Sequence, residues 1–145
     1  MNFLDIKAGE NIEIGTQKAY RFWRYAFAPT RLASWVSDMH WPPDQFVEGT
    51  SPDTGDQGIH GFRTMEDLLW SCNDEPQRLV ARSQMCGYDG IVIGTVELWG
   101  IIWDHKRGHR AQFARPTSFI SIYGNWKEKA LAELRVIFKH ADGDI

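Results

Sequence analysis

The sequence predicts an α+β domain built on one mixed or mainly antiparallel sheet of about six strands, with two helices. Three observations predict it. The longest apolar block, Ile91 to Arg115, is folded back on itself by a polar turn. Short alternating segments, punctuated by Gly and Pro, recur along most of the remaining chain. The stretch from Trp126 to His140 carries one apolar stripe at helical spacing.

The apolar block reads as the central hairpin. Ile91 to Trp103 is rich in Ile, Val, Thr and Trp, which suit a pleated, buried surface. Both alternating sets are apolar, so this strand should be covered on both faces and lie inside the sheet. Gly94, Gly100 and the β-branched content argue against a buried helix. Gly100 marks a bulge or a close backbone approach. In the turn Asp104 to His109, Gly108 is expected to supply positive φ for a loop at Lys106–Gly108. The return strand, Arg110 to Arg115, should stop at Pro116, which has no N–H for a ladder. With that loop, Trp103 faces Ala111, Ile101 faces Phe113 and Trp99 faces Arg115. Glu97 is then diagonal to Arg115, and a bulge at Gly100 shifts the register by one.

A carboxylate inside an apolar strand has to be neutralised, hydrogen-bonded or paired. Glu97 therefore points to Arg115, with Arg110 further along the same strand. The pair reads first as a structural ion pair and second as the charged floor of a binding pocket.

The segment GTVELWGIIWDHKRGHRAQFARP resembles a motif of a family of small, uncharacterised bacterial proteins: a V-x-L-W-G strand, an acidic or His-containing turn, then G-[YWH]-R-A-x-[YF]-A-x-P. The matching residues are Val96, Leu98, Trp99, Gly100, His105, Gly108, Arg110, Ala111, Phe113, Ala114 and Pro116. Gly58 to Phe62 is a weaker second match, with Asp56 and Gln57 where the family carries Cys before its Gly-Ile pair. The resemblance covers about a third of the chain and implies a shared hairpin, with no chemistry attached.

Upstream, residues 11 to 15 read as a short strand ended by Gly15. Lys18 to Phe27 reads as a second strand, ended by Pro29, and Arg31 to Ser37 as a third. Met39 to Pro43 holds a double Pro and should be a loop or an edge. Glu48 to Gly58 is a polar surface loop, followed by a short strand at Gly58–Phe62. Thr64, with Asp67 three residues on, caps a helix from Met65 to Cys72. Gln77 to Met85 reads as a strand, and Cys86 to Gly90 as a turn into the hairpin. After Pro116, Ser118 to Tyr123 alternates as a last strand, and Asn125 is expected to cap the helix Trp126–His140. The tail ADGDI should fray.

At 145 residues, with 43% apolar and 24% charged content, the whole chain (1–145) reads as a single domain. The formal net charge of −3 gives no drive toward nucleic acid or anionic membrane. The N-terminus lacks a basic-then-apolar leader, no apolar run reaches membrane length, and Cys72 and Cys86 show no pairing pattern. These features predict a cytoplasmic protein with free thiols. No CxxC, HxxxH, HExxH, P-loop, G-x-S-x-G or dinucleotide fingerprint occurs, so neither a metal nor a cofactor is expected.

Seven Trp and eight Phe without a catalytic motif point to a non-enzymatic binding module, a small bacterial accessory protein. Its ligand is a small molecule or a protein partner, with a homo-oligomer among the arrangements this allows. The candidate surface comprises Trp23, Trp41, Glu97, Trp99, Trp103, Arg110 and Arg115. The alternative is an enzyme with Glu97 as acid or base, assisted by His60 or His105, and Arg115 holding an anion. A third reading is nucleic-acid binding through the basic tip 105–110, flanked by Trp103 and Phe113, which the acidic balance disfavours.

Overall fold

The computed structural model describes residues 12–35, 39–43, 45–49 and 58–139. In chain order its elements are β1 (Ile12–Ala26), β2 (Arg31–Ala33), β3 (Val47–Glu48), β4 (Ile59–Phe62) and α1 (Met65–Ser71). A 3₁₀ turn at Pro76–Leu79 runs into α2 (Val80–Met85), followed by β5 (Gly90–His105), β6 (Gly108–Gly124) and α3 (Lys127–Ile137). The architecture is α+β, with one antiparallel six-stranded sheet.

The apolar block is the centre of that sheet. β5 pairs with β1 along one edge and β6 along the other. Its first residues, Gly90 to Val96, are buried on both faces, in keeping with their doubly apolar pattern. β4 pairs with β6 from Ile59↔Ala111 to Phe62↔Gly108, and also with β1 at Tyr20↔Phe62. Pairings therefore run from β1 through β5, β6 and β4 back to β1, and the sheet closes into a small barrel.

Closure brings the strands very close. A Cβ on Gly61 would stand 2.6 Å from the Cβ of Ala19, with Leu98 and Val96 side chains just beyond. Ala19, Val96 and Leu98 are fully buried, so glycine at 61 is what lets β4 seat against β1. Gly108 answers to the same crowding. It lacks positive φ, and a Cβ there would fall 2.1 Å from the Gly61 carbonyl oxygen. The hairpin turn is thus two residues, Lys106 and Arg107, with His105 paired to Gly108. The expected three-residue loop is not formed.

That change moves the register. Trp103 faces Arg110, Trp99 faces Phe113 and Glu97 faces Arg115 directly. The expected bulge is present: pairing shifts between Trp99 and Ile102, where Gly100 has φ +85°.

Several boundaries differ from the sequence reading. β1 is one strand, because its ladder with β5 runs unbroken from Ile12↔Trp103 to Tyr25↔Gly90 and Gly15 simply pairs with Gly100. Pro116 does not end β6. It lies beyond Ala114, where the β3 pairing has stopped, and the register shift between Thr95 and Val96 accommodates it. Ser118–Tyr123 is the continuation of the same strand.

Gln77–Met85 is helical. Pro76 presets the first turn, and the buried Ser83 hydroxyl donates to the Gly90 carbonyl at 2.7 Å, tying α2 to the start of β5. β2 is only three residues, and residues 36–38 lie outside the described part. The loop and tail readings at 50–57 and 141–145 also fall outside it.

The Thr64 cap forms as expected, its hydroxyl accepting from the Asp67 N–H at 3.0 Å. Asn125 does not cap α3. Its N–H donates to Asp89 and its carbonyl accepts from the Tyr25 hydroxyl at 2.7 Å. Trp126, at φ +57°, takes the position before the helix instead.

The main core lies where α3 meets the sheet. Trp23 packs edge-on against Trp41 and Phe119, and Phe119 meets Phe138, with centroids 5.5–5.6 Å apart. Ala130 and Leu134 are the buried positions of α3. Each such leucine contributes roughly 1.5–3 kcal/mol by leaving water. Among the described residues, no helix is long and apolar enough to cross a membrane.

Candidate functional site

The candidate residues separate into three places. Glu97, Trp99 and Arg115 come together on the outer surface of the β5–β6 ladder. Arg115 donates through Nε to one carboxylate oxygen of Glu97 at 3.0 Å, and its Nη2 forms an ion pair with the same oxygen, also at 3.0 Å. The two side chains are 40% and 34% exposed, so the carboxylate is not buried as its apolar neighbours implied. Strand alternation explains this: Val96 and Leu98 take the interior, and Glu97 between them points outward.

An aromatic cluster adjoins the ion pair. Trp99 and Phe113 stack with centroids 5.8 Å apart, and Arg115 lies 6.0 Å above Trp99. Phe46 meets both rings edge-on, at 5.5 and 5.4 Å. Pairing of Val47 with Ala114 and Glu48 with Phe113 is what delivers Phe46 there. Phe46 is 50% exposed and Ile101 is 38% exposed. Phe46 sits in an irregular segment without periodicity, so nothing local in the sequence marks it.

Trp23 and Trp41 are elsewhere, inside the main core. The Trp41 indole N–H donates to the Ser34 hydroxyl at 2.9 Å, and the Arg21 guanidinium lies 4.9 Å from its ring. Their high aromatic content serves packing.

Trp103 and Arg110 are cross-strand partners near the hairpin tip, which is built as a buried basic cluster. The His60 and His105 rings stack at 4.9 Å. His109 Nδ1 lies 2.5 Å from Asp104 Oδ1. Arg21 donates to the His60 carbonyl at 2.6 Å and to Ser34 Oγ at 3.0 Å.

Burial holds the His60 imidazole well below its ordinary range, reinforced by His105, Arg110, Arg21 and His109. Burial also lowers His105 to about 3, with Arg110, His109 and Arg63 adding to the effect. Arg21 is brought down to about 10, by burial first and Arg110 second.

The tip is not the solvated basic loop its composition suggests. Arg107 pairs with Asp67 of α1 at 3.1 Å and stacks 3.6 Å from the Trp70 ring centroid. Arg63 donates to the His105 and Lys106 carbonyls at 3.0 and 3.3 Å. These cations latch the hairpin to the β4–α1 junction. The latch joins residues far apart in sequence, and no local signal foretold it.

Among the described residues, no group of three or more His, Cys, Asp or Glu side chains is placed to hold a metal ion. Cys72 is buried, its thiol pushed up by burial, and Cys86 is exposed; both are free thiols.

A cleft of roughly 400 Å³ opens beside Trp41, away from the Glu97–Arg115 face and the hairpin tip. Leu32, Trp41, Pro42, Pro43, Ile137 and Phe138 supply its apolar walls, and Thr30, Arg31 and His40 its polar ones. No family model, no curated protein and no solved structure matches this chain.

Proposed function

We propose that this chain is a non-enzymatic binding module that recognises a protein partner through the outer face of the β5–β6 ladder. The observation that supports this most is the contact cluster of exposed Phe46 with half-buried Trp99 and Phe113, bordered by exposed Ile101 and by the half-open Glu97–Arg115 pair. Aromatic residues and Arg are the side chains that anchor protein interfaces. They offer large apolar area at low entropic cost, with a polar rim to set register.

The face is open, and none of these residues lines the cleft. That favours a macromolecular surface over an enclosed small ligand. Glu97, the acid or base of the enzymatic reading, is likewise not among the residues that line the cleft. The nucleic-acid reading has less support, because Arg63 and Arg107 are already engaged within the molecule.

The test compares retention of partners from an extract of the source organism by wild type, Phe46→Ser, Trp99→Ala and Trp126→Ala. Trp126 is an exposed aromatic remote from the patch and serves as the control. A partner kept by wild type and Trp126→Ala but lost by the two patch variants supports the assignment. Equal retention by all four chains overturns it. Native mass spectrometry of the untagged protein then gives the mass of whatever remains bound.

A further inference from the structure

We infer that the partner of the β5–β6 face is a second copy of this chain, related to the first by a two-fold axis along the seam between the two strands. The inference rests on the reading of that face as an interface and names its occupant. The seam is complementary to itself. Glu97 faces Arg115 across it and Trp99 faces Phe113, so one level sets an acid against a base and the next an indole against a phenyl ring. A two-fold axis along the seam lays β5 of one copy over β6 of the other. Glu97 then meets the second copy's Arg115, and Trp99 meets the second copy's Phe113. Each match is made twice.

The charged atoms are placed for this. Both contacts within the chain use a single oxygen of Glu97, Oε1, which takes Nε and Nη2 of Arg115. The other carboxylate oxygen and Nη1 have no hydrogen-bond or ion-pair partner among the described residues. A second copy can therefore add its own pair without breaking the first, closing a ring of four alternating charges. A network of that kind gains more than an isolated surface pair.

The flanks agree. Exposed Lys18 lies opposite Glu97 on the β1 side, and exposed Glu48 lies opposite Phe113 on the β3 side. The same axis turns the cationic flank of one copy toward the anionic flank of the other. Lys18, Arg115, Glu48 and Glu97 balance in charge, which gives these four residues no bias toward a strongly acidic or basic partner. The driving force is apolar: Phe46 and Ile101 are exposed on this face and gain by leaving water.

The experiment is sedimentation equilibrium of the full chain over a concentration series. It compares wild type, Glu97→Arg, Arg115→Glu and the double variant that exchanges the two. Wild type is expected to approach twice the chain mass. The reversed side chains are on the surface and leave the core untouched. Each single reversal sets like charges against each other twice across the axis, and should raise the dimer dissociation constant about a hundredfold. The double variant restores both pairs and should recover most of the affinity. An equimolar mixture of the two single variants should also dimerise, because one chain then offers two cations and the other two anions. A wild-type monomer at every concentration overturns the second copy as occupant, while the retention assay above judges the face independently. A dimer that both single reversals leave intact overturns this face as its seat. Dissociation without recovery in the double variant or the mixture overturns the two-fold pairing.

Discussion

Gly61 lies so close to Ala19 that a single added methyl would stand 2.6 Å from the alanine Cβ. This contact is where β4 closes the sheet against β1. Gly61→Ala should therefore destabilise the fold by about 1–3 kcal/mol, as overpacking does when neither neighbour can turn aside. Ala19→Gly in the same chain should restore most of the loss, because it removes the opposing methyl. Urea unfolding of the two single variants and the double variant measures the coupling.

Gly108→Ala should behave differently. Its added methyl would meet the Gly61 carbonyl oxygen at 2.1 Å, and that oxygen is backbone. No side-chain change opposite can rescue it. The loss should exceed that of Gly61→Ala, and Ala19→Gly should leave it unaltered in the same unfolding assay.

The Glu97–Arg115 pair is well aligned but about a third open to water on both sides. Solvent screening and side-chain entropy reduce such pairs to about 0–1 kcal/mol. Glu97→Gln should shift the unfolding midpoint by no more than that, and raising the salt concentration should shrink the difference further.

The pattern of residues made some of this legible and hid the rest. The hairpin, the Thr64 cap and the α3 stripe are local regularities, and each could be read from a window of the chain. The Glu97–Arg115 pairing followed from strand register, although its exposure did not, because a doubly apolar strand hides which end leaves the core. Gln77–Met85 has too mixed a pattern to separate helix from strand, and Ser83 finds its acceptor only in the folded molecule. Barrel closure rests on one pairing between β1 and β4, and the patch depends on Phe46. Both arise from tertiary approach, which no local spacing encodes.

Acid should weaken the fold through the imidazoles at the tip. His60 and His105 are neutral in the folded protein, whereas in the unfolded chain each takes up a proton near the ordinary value of 6.5. The unfolded state then binds more protons, so stability is complete above about 6.5 and falls as the pH drops toward about 3, where His105 itself titrates. With two such imidazoles the loss between pH 7 and pH 4.5 is expected to approach about 5 kcal/mol. His105→Gln should flatten that slope, and urea midpoints across the range are the measurement.

Cutting the tip latch should release α1 without unfolding the barrel. Arg107→Ala removes both the Asp67 ion pair and the Trp70 stacking. Global stability should drop by about 1 kcal/mol, while amide exchange in Met65–Ser71 accelerates more than in β5.

The closed path of strands also dictates an order of assembly. β5 and β6 are joined by two residues, so their ladder costs little chain entropy and can form early. β1 pairs with β5 across nearly the whole intervening chain, and such distant contacts form slowly. During synthesis β1 emerges long before its partner exists. β2 and β4 can meet parts of one edge earlier, at Tyr25↔Leu32 and Tyr20↔Phe62, but the edge of β1 that takes β5 must wait, unpaired, until the hairpin has left the ribosome. A chain truncated before Gly90 would present that strand permanently, and it is the segment where self-association should begin.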